Sequence, residues 1–206
     1  SSTRKFQKGS WIIPDMPPLS GAHLRRASHS ADWITIGETV ETPYYSAKLN
    51  EDGSFASLYD KELRREWVKG DFNKLKIFTD CPGNYDAWDI DIYYTQKMET
   101  LSLAGAPKVI ENGALRMVLR FEFTYNKSSF TQDVIVYRDS RRIDFVTHAD
   151  WHESHRLLKA AFDVDIRSTR ATYDIQYGHV ERPTHWNTSW DWARFEGVGH
   201  KWADLS

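Results

Sequence analysis

Apolar and polar residues alternate along much of this chain, and a period of two predicts strands. Trp33-Ile34-Thr35-Ile36 is the first clear candidate. Tyr44 to Asn50 and Ser54 to Tyr59 flank Glu51-Asp52-Gly53, and Asp-Gly between two alternating runs predicts a hairpin. Alternation puts Tyr45, Ala47 and Leu49 on one face, and groups Phe55 with Ser57 and Tyr59. Asp60 to Trp67 is charged and reads as a turn or a short surface helix. Leu75 to Thr79 is the next strand, Cys81-Pro82-Gly83-Asn84 has loop chemistry, and Ile90 to Tyr94 resumes the strand pattern. Lys108 to Glu111 runs into a second hairpin signal at Asn112-Gly113. Beyond it, Leu115, Met117, Leu119, Phe121 and Phe123 share one face of a strand reaching Tyr125. Phe130 to Tyr137, Arg142 to Ala149, Leu157 to Ile166, Thr172 to Tyr177 and Ala193 to Val198 complete the series. No long amphipathic helix interrupts it. Short strands with turn signals about every 8–12 residues predict an all-β sandwich or barrel.

Residues 1–31 break this pattern. Pro14, Pro17, Pro18 and Gly21 punctuate them, and only Trp11-Ile12-Ile13 is strand-like. They read as an irregular strap or linker, and residues 32–206 as one domain. The pairs Trp88-Asp89 and Trp190-Asp191 do not recur at the roughly 40-residue period of propeller blades.

Charge and composition narrow the function. Lys and Arg number 27 against 29 Asp and Glu, a net charge of −2. Such a balance supplies no global field for nucleic acid or an anionic membrane. The single cysteine, Cys81, excludes internal disulfides and multi-cysteine zinc sites. No apolar run approaches the roughly 20 residues of a spanning helix. The sequence shows no signal-peptide pattern and lacks an initiator Met, which predicts a processed product, an excised piece or tag removal. Nine Trp, ten Tyr and ten Phe fit either a β-rich core or flat faces on which sugar rings lie.

Candidate chemistry centres on carboxylates among aromatics. Asp86, Asp89 and Asp91 lie beside Tyr85, Trp88, Tyr93 and Tyr94, after a Pro-Gly loop. If Asp89 begins a strand, Asp89 and Asp91 share a face. Paired acids beside aromatics suit a sugar site, while Asp-capped turns above packed rings give the same pattern. His152-Glu153-Ser154-His155 has i, i+3 spacing, whereas a metalloprotease pair needs i, i+4 on a helix. No Gly-x-Ser-x-Gly elbow and no phosphate loop occurs. Arg64-Arg65 and Arg141-Arg142 read as solvated pairs. Asn126-Lys127-Ser128 and Asn187-Thr188-Ser189 fit the glycosylation sequon but receive no weight without a secretory signal.

The run Asn73 to Tyr94, with Tyr-Asp-Ala-Trp-Asp at 85–89, closely resembles the β-domain of glycoside hydrolase family 38 α-mannosidases. Ser54 to Lys61, Arg141 to Lys159, Tyr177 to His185 and Phe195 to Ser206 resemble the same family in the same order. The set looks most like its bacterial and cytosolic branch, which implies a cytoplasmic protein. The resemblance implies a truncated central β-sandwich of galactose mutarotase-like type. It also implies a parent with a catalytic barrel and a helical bundle, which carry the zinc and the nucleophile of a retaining mechanism. No catalytic residue, metal or cofactor is then expected in this chain, and the parent's substrate is a terminal α-mannoside. Asp86, Trp88 and Asp89 become candidate substrate contacts, Trp88 as a stacking wall and the acids as hydroxyl acceptors or loop anchors. Glu181, Arg182 and His185 form a second polar cluster, with a Glu181–Arg182 ion pair as the expected reading. An exposed edge strand is expected to favour self-association. A stand-alone carbohydrate-binding module and a self-sufficient mutarotase-like enzyme are the alternatives.

Overall fold

The computed structural model describes residues 10–12, 25–27, 33–36, 39–86 and 88–206. In chain order the strands begin β1 (Ser10–Ile12), β2 (Arg25–Ala27), β3 (Thr35–Ile36), β4 (Thr39–Glu41), β5 (Tyr45–Leu49), β6 (Phe55–Asp60), β7 (Arg65–Glu66) and β8 (Val68–Thr79). A 3-10 helix at Ile92–Gln96 precedes β9 (Met98–Thr100), β10 (Ser102–Leu103), β11 (Lys108–Asn112), β12 (Arg116–Tyr125), β13 (Ser128–Tyr137), β14 (Ile143–Asp150) and β15 (Arg156–Val164). Then come β16 (Arg170–Ile175), β17 (Gly178–Pro183), the short helix α1 (Ser189–Ala193) and β18 (Ala203–Asp204).

These strands form an antiparallel β-sandwich. One sheet runs β3-β4-β5-β6-β7, and a second runs β15-β8-β9. Trp67 joins the two, donating its N–H to Leu58 O at 3.1 Å and accepting from Asp165 N at 2.9 Å. A third sheet, β10-β12-β13-β14 with β11 also on β12, supplies the facing layer. Val40, Ala47, Phe55, Leu75 and Ile77 from the first two sheets meet Met117, Leu119, Phe121, Phe123 and Val134 from the third in one buried cluster. The strict alternation of β12 explains its place at the centre, because one face delivers Met117, Leu119, Phe121, Phe123 and Tyr125 to the core. Phe55, Phe72, Phe162 and Phe145 close a ring of edge-to-face contacts with centroids 5.1–6.0 Å apart.

A buried polar link crosses this apolar core. Asn73 Nδ2 donates to Gln132 Oε1 at 2.8 Å, and Gln132 Nε2 donates to Thr147 Oγ1 at 3.0 Å. Asn73 has φ of 53° and sits where the β8–β15 register slips between Phe72 and Lys74. The bulge turns its amide inward.

The first hairpin forms as its Asp-Gly signal predicts. Gly53 has φ of +81°, and Asp52 Oδ1 accepts Ser54 N at 3.0 Å. The side-chain grouping differs from simple alternation. Lys48 pairs with Ser57 and Leu49 with Phe55, so Ala56 is bulged out. Leu58 and Asp60 therefore join Phe55 inside, while Tyr59 faces solvent. Asp60 Oδ1 accepts N–H bonds from Glu62 and Leu63 at 2.9 and 2.8 Å, which makes 60–64 a turn. Arg141 is not merely solvated: it bonds Glu62 and lies 3.8 Å from Asp60.

Two predicted strands are absent. Ile90–Tyr94 gives way to the 3-10 helix, and Ala193–Val198 gives way to the end of α1 and a loop. Thr188 caps α1 and Asp191 completes a reciprocal capping box, a local device strong enough to override weak apolar alternation. Within 1–31, Ser10–Ile12 pairs antiparallel with Arg25–Ala27. The remainder of that predicted strap lies outside the described residues.

Candidate functional site

The loop from Cys81 to Asp91 leaves β8 and carries the clustered aromatics and acids. Tyr85 adopts φ of 52°, and its carbonyl accepts Trp88 N at 2.7 Å and Asp89 N at 2.8 Å. This tight turn projects the rings outward. Trp88 is 88% exposed, Tyr85 77% and Tyr93 67%. Tyr85, Trp88 and Asp89 line an open hollow of about 390 Å³. Asp86 is exposed and is not part of that lining. Trp88 and Asp89 are thus brought together, and Asp86 is left beside them. Asp89 and Asp91 share no strand face, because no strand forms here. Asp91 Oδ2 instead accepts Gly83 N at 3.1 Å and ties the loop to itself.

The far end of the loop is anchored through Tyr94. Its ring meets Phe78 edge-on at 5.1 Å, and its hydroxyl accepts a hydrogen bond from Lys159 Nζ at 2.7 Å. Glu196 bonds both Tyr94 and Lys159. Burial, then the Glu196 bond, holds the Tyr94 pKa above its ordinary value. Burial works to lower that of Lys159, but Glu196 and Tyr94 outweigh it and the net direction is upward. Lys159 therefore stays protonated and the Tyr94 hydroxyl neutral, and their bonds with Glu196 fix the loop against β15 and the segment after α1.

The second polar cluster is arranged differently from its sequence reading. Glu181 pairs with Arg170 at 2.7 Å, not with Arg182. Adjacent strand residues point to opposite faces, which separates Glu181 from Arg182. Arg182 lies over the Tyr173 ring at 5.8 Å and donates to Val198 O at 3.2 Å. Beneath them Asp174 accepts N–H bonds from His200, Lys201 and Trp202 at 2.9, 2.6 and 2.9 Å. The Trp202 bond leads the causes that lower the Asp174 pKa. This carboxylate ties the segment leading into β18 to β16.

The sequence reading did not single out Asn73, Gln132, Lys159, Glu196 or Asp174 for these roles. Asn73 and Gln132 bond across 59 positions, Lys159 and Glu196 across 37, and Asp174 and His200 across 26, so no local pattern could reveal them. His152 Nε2 lies 3.0 Å from Asp150 Oδ1, and His155 occupies a turn with φ of 53°. Among the described residues no three His, Cys, Asp or Glu side chains are grouped to hold a metal ion. An exposed indole can cover a sugar face, and a carboxylate beside it can accept hydrogen bonds from the sugar hydroxyls.

The model of the glycosyl hydrolases family 38 C-terminal domain matches residues 40–206. The chain is similar to alpha-mannosidase G of Dictyostelium discoideum, 44% identical over 81% of this chain and 16% of that protein. It is similar to human alpha-mannosidase 2C1, 38% identical over 82% of this chain and 16% of that protein. The fold is similar to the crystal structure of an alpha-mannosidase from Enterococcus faecalis, with a TM-score of 0.59, 14% identity, and coverage of 75% of this chain and 20% of that one. The chain thus spans about 16% of the curated relatives' length. With the match running from β4 through the antiparallel sandwich to the last residue, this chain belongs to the glycoside hydrolase family 38 C-terminal domain family.

Proposed function

We propose that this chain is the non-catalytic β-domain of a zinc-dependent, retaining α-mannosidase that hydrolyses terminal α-mannosides. The family match over residues 40–206 carries this reading. The names of the relatives supply its substrate class. In this reading the zinc is held by the parent's barrel and adjoining region, and the described residues do not group three His, Cys, Asp or Glu side chains for it. Retaining hydrolysis needs two carboxyl groups about 5–5.5 Å apart across the sugar, and those too are assigned to the parent's barrel.

In the parent, this domain packs on the barrel and lends the 81–91 loop to the rim of the pocket. Trp88 covers a sugar face, Asp89 accepts a hydroxyl hydrogen bond, and Asp86 anchors or approaches from outside the hollow. The exposure of Trp88 supports this role, since an indole 88% exposed contributes little to the fold of the chain itself. A mutarotase-like kinship of the sandwich and a cytoplasmic setting belong to the same reading. The exposed free thiol of Cys81 fits a reducing compartment. Edge-strand self-association follows from β14, which pairs with β13 alone among the described strands.

Trp88→Ala in the full-length parent tests the pocket role. Loss of a stacking wall raises KM or lowers kcat/KM by about tenfold or more, while the melting temperature stays within about 2 °C. Unchanged kinetics would leave the loop outside the pocket. The rival reading, a stand-alone carbohydrate-binding module, requires the isolated chain to bind mannosides through Trp88 without the barrel.

A further inference from the structure

A cleft of about 310 Å³ opens beside the β16–β17 hairpin, remote in sequence from the 81–91 loop. Its volume reaches the lower end of the roughly 300–1,000 Å³ common to small-molecule sites. We infer that this cleft is a second carbohydrate subsite, taking a neutral sugar ring of an oligosaccharide.

Its lining mixes donors with acceptors. Arg182, His185 and Arg194 line this space together with Asp191 and Glu196. A hydroxyl both donates and accepts, so such a mixed set suits a polyol. An anion would meet the carboxylates of Asp191 and Glu196. The outer partners also balance the charge, because Arg170 pairs with Glu181 and Lys159 with Glu196.

Two side-chain nitrogens in this wall lack partners among the described residues. Arg182 Nε and His185 Nδ1 are buried and make no hydrogen bond. His185 Nδ1 lies 3.6 Å from Asp191 Oδ2, beyond hydrogen-bond range. Asp191 is already engaged by Thr188, whose N–H and hydroxyl bond it at 3.1 and 2.8 Å. Unmade bonds at buried donors are costly, so a ligand oxygen that completes them gains free energy on binding. Trp186 supplies the apolar wall, and it is 58% exposed, so its ring is open to a ligand. This aromatic face beside polar hydroxyl partners is the composition a sugar ring requires.

The site itself does not depend on the mannosidase reading; only the choice of a mannoside probe does. The test uses this chain with mannotriose, maltotriose and inorganic phosphate, followed by saturation-transfer NMR and tryptophan fluorescence. Mannotriose binds, and Trp186→Ala and Arg182→Lys each weaken it at least tenfold. Equal binding of maltotriose with the same variant pattern upholds the cleft and counts only against mannose specificity. Near-UV circular dichroism confirms folding. If Arg182→Lys unfolds, Trp186→Ala decides, because its side chain is largely at the surface. Sugar binding lost in Trp88→Ala but kept in Trp186→Ala overturns the cleft and leaves the proposed pocket loop standing. Phosphate displacing the sugar from the cleft, or no sugar binding at all, also overturns it.

Discussion

Replacing Gln132 by Leu should cost the fold about 1–3 kcal/mol, despite putting an apolar side chain into an apolar core. Gln132 is 2% exposed and Asn73 3%, so water cannot replace their bond readily. Asn73 Oδ1 already lacks a partner among the described residues, and the substitution strips its Nδ2 partner as well. The whole amide is then buried and unpaired, which is the origin of the cost. Thr147 lies on an exposed part of β14, so water satisfies its hydroxyl and adds little. Urea unfolding with an unchanged m-value reads the loss. At about 2–4 °C per kcal/mol for a chain of this size, thermal melting reports it independently. The partner change Asn73→Gly removes the amide and tolerates φ of 53°. In a double-mutant cycle, Gln132→Leu should cost at least about 1 kcal/mol less in the Asn73→Gly background. Strict additivity, or a single-mutant loss below about 0.5 kcal/mol, would refute the cross-core link.

The hairpin and the C-terminal sheet give further predictions. Gly53→Ala places a Cβ 2.8 Å from Phe121 Cδ1 at a φ of +81°. About 1–2 kcal/mol of left-handed strain plus about 1–3 kcal/mol of overpacking should appear in denaturant unfolding. A loss below about 0.5 kcal/mol contradicts that contact. Asp174 has its pKa lowered from 3.8, so its stabilisation is present above the unfolded-state value and is lost as pH falls through the lower folded value. Amide exchange at His200, Lys201 and Trp202 should therefore stay protected at pH 3.8 and lose protection only as pH falls further, through the lowered folded value. In Asp174→Ala it should be lost at every pH, and retained protection there would remove the carboxylate from this role.

The sheets were legible because their signal is local. In β12 the alternation of Met117, Leu119, Phe121 and Phe123 states both strand and buried face, and Asp52-Gly53 states the turn. The bulge at Ala56 escapes that logic, since an unpaired residue shifts the face without altering composition. Val68 to Lys74 was hidden because Lys69, Asp71 and Lys74 break the apolar run, although Lys74 and Lys76 pair with Asp71 on the strand surface. Cys81 to Asn84 was legible as a loop with acids and aromatics beyond it, whereas the strand expected from Ile90 is not what forms. In Tyr94 the alternation competes with the link to Lys159 and Glu196, made by residues 65 and 102 positions away. The fine geometry of the site is set by such distant partners, which a single sequence does not pair.

Hydrolysis of a chromogenic α-mannoside by the purified chain, with zinc and other divalent ions added in turn, tests the central claim most directly. A non-catalytic β-domain gives no turnover above background under any of these conditions. Metal-dependent turnover that scales with the chain, and disappears when Asp86, Asp89 or Asp91 is changed to Asn, would place the active site here and contradict the account.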